Sequence, residues 1–251
     1  MAEVVDLIDK IKRYYRFTPS EIKGLAVAIV AIAFIVSFTE WGTSGVDFAA
    51  GLFNFFNAIL IVALAFFVHI SVQRIWGLIV GLRVEWKMWG LGLLIGLIMA
   101  FLSNGYIWLI LPGGIIVHHM AGHRLGWFRY DINWWTLTVV AAAGPIASML
   151  LAIMFKAMGA GISTGLIQKA MVFNIAYALY SIIPIPPLDG SRIIFGSRLF
   201  YVFSSAGLVA VAILLSLDIS IWLSILASFL VGLLVWLLYY IFFESKVWVG
   251  G

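Results

Sequence analysis

Few side chains in this 251-residue chain can bind a metal or move a proton: there are four histidines, eleven carboxylates and no cysteine. His69 stands four residues before Gln73, so on a helix the two share one face, a turn apart. A histidine at each of those positions, with a Glu directly after the first, is the arrangement that holds Zn²⁺ and lets the carboxylate take a proton from bound water. Here the five residues read His69-Ile70-Ser71-Val72-Gln73. One imidazole survives, and Ile70 stands where the proton acceptor would be. A histidine hydrogen-bonded inside a helix bundle is the plain alternative.

Asp189 lies in Ile183-Pro184-Ile185-Pro186-Pro187-Leu188-Asp189-Gly190. The prolines stop a helix and free backbone groups, and inside a membrane such backbone survives only where protein or a water-filled cavity satisfies it. An Asp placed there is either a site residue or the cap of a helix starting at Ser191-Arg192. Asn174 and Ser181 are two further polar residues in the preceding apolar run. His118, His119 and His123 put three of the four histidines in one short segment. They read either as interfacial side chains or as alternative metal ligands brought together by a turn, with Glu85 the nearest carboxylate in sequence.

The elements that carry these residues are membrane elements. The chain is 64% hydrophobic and 10% charged, with a mean hydropathy of +1.13. Soluble domains carry about 25% charged residues, so a soluble enzyme is excluded. Apolar runs at 22–38, 49–73, 91–112, 133–155, 166–188, 199–217 and 219–243 each approach the roughly 20 residues of a membrane crossing. The run at 91–112 is broken by Asn104-Gly105 and reads as re-entrant, which leaves about six crossings. With both termini cytoplasmic, all fifteen Lys and Arg except Lys156 and Lys169 then face inward, as the positive-inside rule requires.

Residues 4–17 place Val4, Leu7, Ile8, Ile11, Tyr14 and Tyr15 on one face, an amphipathic interfacial helix. Thr18-Pro19-Ser20-Glu21 starts the next helix, with Pro in the first turn and Thr or Ser as cap. Residues 83–89 alternate like a strand, and 114–130 read as a small cytoplasmic-side β-hairpin. Gly90, Gly92 and Gly96 suggest close packing in the re-entrant region. The basic residues cluster beside the first apolar run among acidic ones, which points to a membrane surface and away from nucleic acid.

The segment Pro186-Pro187-Leu188-Asp189-Gly190 resembles the LDG motif of the site-2 proteases, the intramembrane zinc metalloproteases. Other pieces agree in order. His69 with Gly81 twelve residues on matches the spacing from that family's HExxH histidine to a following Gly. Ala143-Gly144-Pro145-Ile146-Ala147-Ser148 looks like its AGPxAN stretch, with Ser148 for Asn. Asn174 and Leu179 to Gly190 resemble its N…LFNLLPxPPLDG segment, with Ser181 for Asn. Phe17 to Leu25, Trp86 to Leu97 and Pro112-Gly113-Gly114 look like an archaeal branch of the family.

The resemblance covers about residues 17 to 200. It implies metal ligands at His69, Gln73 and Asp189, a general base at Ile70, and cleft residues at Asn174, Ser181, Pro186, Pro187, Leu188 and Gly190. Gln is a poor zinc ligand, and Ile accepts no proton. The expectation is therefore an all-α polytopic membrane protein with a site-2-protease-like core at 22–198, preceded by the interfacial helix 1–21 and followed by two extra helices in 199–251. It is a pseudoprotease that binds a transmembrane segment or partner subunit in the lipid bilayer. No cofactor is expected, and zinc if any metal. The alternative is an active zinc metalloprotease with atypical ligands, drawn from His69, Asp189 and one of His118, His119 or His123.

Overall fold

The computed structural model describes residues 2–42, 45, 47–119, 133–159, 161, 164–217 and 219–245. The protein is an all-α polytopic membrane protein with one small two-stranded antiparallel sheet. Five helices among the described residues are long and apolar enough to cross a membrane. The chain divides into two units, Met1–Thr136 and Leu137–Gly251.

The first unit begins with α1 (Ala2–Tyr14), in which Lys10 pairs with Asp6 and Arg13 with Asp9 one turn apart. Its Leu7, Ile11 and Tyr14 are half-buried, while Ile8 is exposed. α2 (Pro19–Ser37) starts where its sequence signals it: Thr18 accepts from the Glu21 N–H, and Glu21 accepts from the Thr18 N–H at 2.8 Å. This reciprocal capping satisfies two N–H groups that a helix start otherwise leaves unmet. α3 (Phe48–Ile79) is capped by Asp47, whose Oδ1 accepts from the N–H groups of Ala49 and Ala50. Ten of its thirteen buried residues fall at 58, 61, 62, 65, 66, 69, 70, 73, 74 and 77, the three-and-four spacing of one packed stripe.

Next come β1 (Leu82–Met88), α4 (Gly90–Leu102) and β2 (Gly113–His119). The strand expected at 83–89 is β1; the segment expected to form a hairpin within 114–130 supplies β2, which pairs antiparallel with β1 instead, Leu82 opposite His119 and Met88 opposite Gly113. Residues 120–130 of the expected hairpin lie outside the described residues. α4 has 13 residues, which at 1.5 Å per residue is about 20 Å and short of a roughly 30 Å hydrocarbon core. Because β1 and β2 flank it and pair, the chain leaves and returns at the same level, and the Trp89 N–H donates to Pro112 O at 2.9 Å. This geometry matches the re-entrant reading of the run at 91–112. A Cβ on Gly92 would stand 2.5 Å from Leu111 O, and one on Gly96 2.5 Å from Leu109 O. Those two glycines admit the returning chain at 109–111; Gly90 meets nothing within 4 Å.

The second unit holds α5 (Trp134–Gly159, which begins three residues before the unit boundary), α6 (Gly165–Ser181), α7 (Asp189–Gly196), α8 (Arg198–Ser216) and α9 (Ile221–Tyr239). The apolar run 166–188 is a helix only as far as Ser181. Pro184, Pro186 and Pro187 cannot extend it, so α6 has 17 residues and is not among the five crossing-length helices. α8 and α9 form a hairpin along small residues. Ser224, Ser228 and Gly232 recur every fourth residue and are buried, and a Cβ at Gly232 would meet Phe203 O at 3.1 Å. Lys156 ties the end of α8 to α5: its ammonium donates to Leu215 O at 2.6 Å and Leu217 O at 2.7 Å, a cation on the carbonyls a helix end leaves open.

Candidate functional site

α3 carries the first group of candidate residues. His69, Ile70 and Gln73 sit in the buried stripe of that helix, with His69 2%, Ile70 1% and Gln73 0% exposed. The same i, i+4 steps that pack Ala58, Val62 and Phe66 carry the stripe on through Ile70 to Arg74. A residue at position 70 is therefore held in the interior by the helix period, whatever its chemistry. Ile fits that packing and brings no acid–base group to it.

One turn of helix further on is a cluster the sequence reading missed. Arg74, which was not among the candidate residues, is 3% exposed. Its Nη2 donates to Glu21 Oε1, its Nη1 donates to Arg16 O at 2.8 Å, and the guanidinium lies 4.1 Å from the Phe17 ring centroid. Glu21 Oε1 also accepts the Trp86 N–H at 2.7 Å. One carboxylate thus joins the start of α2, the strand β1 and the end of α3. Beside it, Tyr15 Oη and Ser71 Oγ share a hydrogen bond of 2.6 Å. The signal for Arg74 was its position four residues after Ile70 on the same stripe.

The histidines of β2 point to alternate faces of the sheet. His118 stands opposite Arg83 in the register, with its Nε2 3.7 Å from Glu85 Oε2; Arg83 binds Glu85 Oε1 at 2.6 Å. His119 is opposite Leu82. His123 lies outside the described residues.

The second unit holds the remaining candidates. Asn174 and Ser181 are buried two turns apart on α6. Asn174 Nδ2 donates to Ala170 O at 2.8 Å, and Ser181 Oγ donates to Ala178 O at 2.9 Å. After Ser181 the backbone turns through 182–188, where the Ile185 N–H donates to Ile183 O and the Leu188 N–H to Ile185 O. The bond between Pro186 and Pro187 is cis.

Asp189 is 3% exposed and is the first residue of α7, a place where a carboxylate gains from the helix dipole. The N-cap is Leu188, so Asp189 is not the side-chain cap that one sequence reading allowed. Arg192 Nη1 donates to Pro187 O at 2.7 Å and braces the turn. Burial pushes the Arg192 guanidinium below its usual range, and the charge of Asp189 pulls the other way. Gly190 is there because nothing larger fits: a Cβ would collide with Ile182 O and stand 2.6 Å from Ile183 O.

Among the described residues, no three His, Asp or Glu side chains gather into a metal-holding group. No family model and no solved structure matches the chain. A protein of Methanocaldococcus jannaschii named "Putative zinc metalloprotease MJ0611" is 24% identical over 187 residues, covering 72% of this chain and 86% of that one. The match supports a metalloprotease-like relationship.

Proposed function

We propose that this protein is a catalytically degenerate, site-2-protease-like membrane protein, a pseudoprotease that holds a transmembrane segment or a partner subunit without cleaving it. The observation that carries this reading is Ile70: a residue 1% exposed, next to His69 in the packed stripe of α3, with no atom able to accept a proton. Gln73 offers an amide where the resemblance asks for a second imidazole. One imidazole, one amide and the carboxylate of Asp189 do not fit a catalytic zinc, whose protein ligands are His, Cys, Asp or Glu. General acid–base catalysis typically contributes 10²–10⁴-fold, and Ile70 forfeits it. The relationship to a zinc metalloprotease supports the ancestry in this reading, with 22–198 as its core and 199–251 as an addition. The distribution of Lys and Arg supports cytoplasmic termini.

The second reading, a zinc protease with relocated ligands, draws on His118 and Glu85, which face each other across the sheet at 3.7 Å. A cleavage assay separates the two. The purified chain and its Asp189→Ala variant, each reconstituted with a transmembrane-helix reporter, give the same background rate of cleavage under the pseudoprotease reading. A wild-type rate above background that Asp189→Ala abolishes overturns it.

A further inference from the structure

A groove of about 680 Å³ runs between the first turns of α2 and the β1–β2 sheet, within the size range of small-molecule sites. Lys23 and Lys87 stand on its wall with His118; Val27, Met88 and Ile116 supply apolar surface. Both lysines are exposed. Among the described residues neither is in ion-pairing distance of a carboxylate, because the two carboxylates of the groove are already engaged. Glu21 is bound to Arg74, and Glu85 is bound to Arg83 and faced by His118. Two uncompensated ammonium groups therefore share one cavity with an apolar wall. The wall is formed partly by α2, itself a crossing-length helix, and the groove lies at that helix's starting end.

We propose that this groove binds one anionic phospholipid, with its phosphate between Lys23 and Lys87 and the first part of an acyl chain along Val27, Met88 and Ile116. A soluble anion would use the lysines and leave the apolar wall wet; a zwitterionic lipid brings no net charge to set against the two ammonium groups. Each lysine near an anionic lipid surface is worth about a fivefold change in affinity, so the pair gives about 25-fold.

The test is native mass spectrometry of the full chain in detergent, titrated in parallel with phosphatidylglycerol, phosphatidylcholine and inorganic phosphate. The proposal predicts one retained phosphatidylglycerol, and a Lys23→Gln/Lys87→Gln variant that binds it about 25-fold more weakly, with an unchanged thermal midpoint. Lys10→Gln/Lys12→Gln, which removes the same charge from α1, leaves the affinity within about twofold, and Ile116→Asn weakens the lipid. An equal loss in the α1 variant overturns the proposal in favour of bulk surface attraction. Inorganic phosphate that binds alone and displaces the lipid overturns it in favour of a soluble-anion site, and retention unchanged in the groove variant overturns it outright.

Discussion

Replacing Glu21 by Ala lowers the stability of the folded chain in detergent by about 3–5 kcal/mol, a fall in the thermal midpoint on the order of 10 °C. The size follows from burial. Glu21 and Arg74 side chains are 4% and 3% exposed, and truncating one member of such a pair leaves a charge in the interior with its partner gone. The Trp86 and Thr18 N–H groups lose their acceptor as well. By contrast, Lys10 and Asp6 form an ion pair in which Asp6 is 52% exposed, and Asp6→Ala costs less than about 1 kcal/mol. Glu21→Leu combined with Arg74→Met costs less than the sum of the two single changes, since the double variant leaves no lone buried charge. Thermal unfolding of Glu21→Ala, Asp6→Ala, the double variant and its two single changes checks this order. Glu21→Ala unfolding within 2 °C of the wild type would contradict it.

Gly190→Ala is the second change with a large expected effect. The added methyl would lie inside contact distance of the carbonyls of Ile182 and Ile183. These belong to backbone held by the turn's own hydrogen bonds, so no flexible side chain can give way. Overpacking of this kind costs 1–3 kcal/mol, and more where backbone must move. The turn that carries Asp189 would shift with it. Gly165→Ala in the same unit is the control: nothing lies within 4 Å of its added Cβ, and Ala is the better helix former. The expected result is a midpoint lowered by several degrees for Gly190→Ala and unchanged or raised for Gly165→Ala. The glycine beside Asp189 thus has a packing reason that holds whether or not the Asp ever met a metal.

What was legible in the sequence was local. Thr18-Pro19-Ser20-Glu21 announces a helix because its capping bonds span three residues. The alternation of 83–89 is that of a strand with one face inward, and 82, 84 and 86 are the buried positions. The prolines from Pro184 mark where α6 must stop, although the apolar run carried the expected crossing on to 188.

What was not legible depends on pairs far apart in the chain. The partner of β2 is β1, reached across α4, and no turn signal announces a pairing over that distance. The bond between Arg74 and Glu21 spans 53 residues. Glu21 could be placed as a helix-start residue, but its second oxygen was free to choose any donor the fold delivered. Among the candidate residues, His69, Ile70 and Gln73 were singled out by their match to a metal-binding motif, and the structure adds that all three are interior. Glu85 was chosen only as the nearest carboxylate in sequence, and it proves to face His118.

We propose a protease-like chain that has lost the machinery for its metal. The most direct test is the zinc content of the detergent-purified, full-length protein by elemental mass spectrometry, with His69→Ala measured beside it. The expected result is zinc well below one atom per chain in the wild type and no difference in the variant. One zinc per chain that disappears in His69→Ala would contradict it, restore the reading of an enzyme with relocated ligands, and turn attention to His118, His119 and His123.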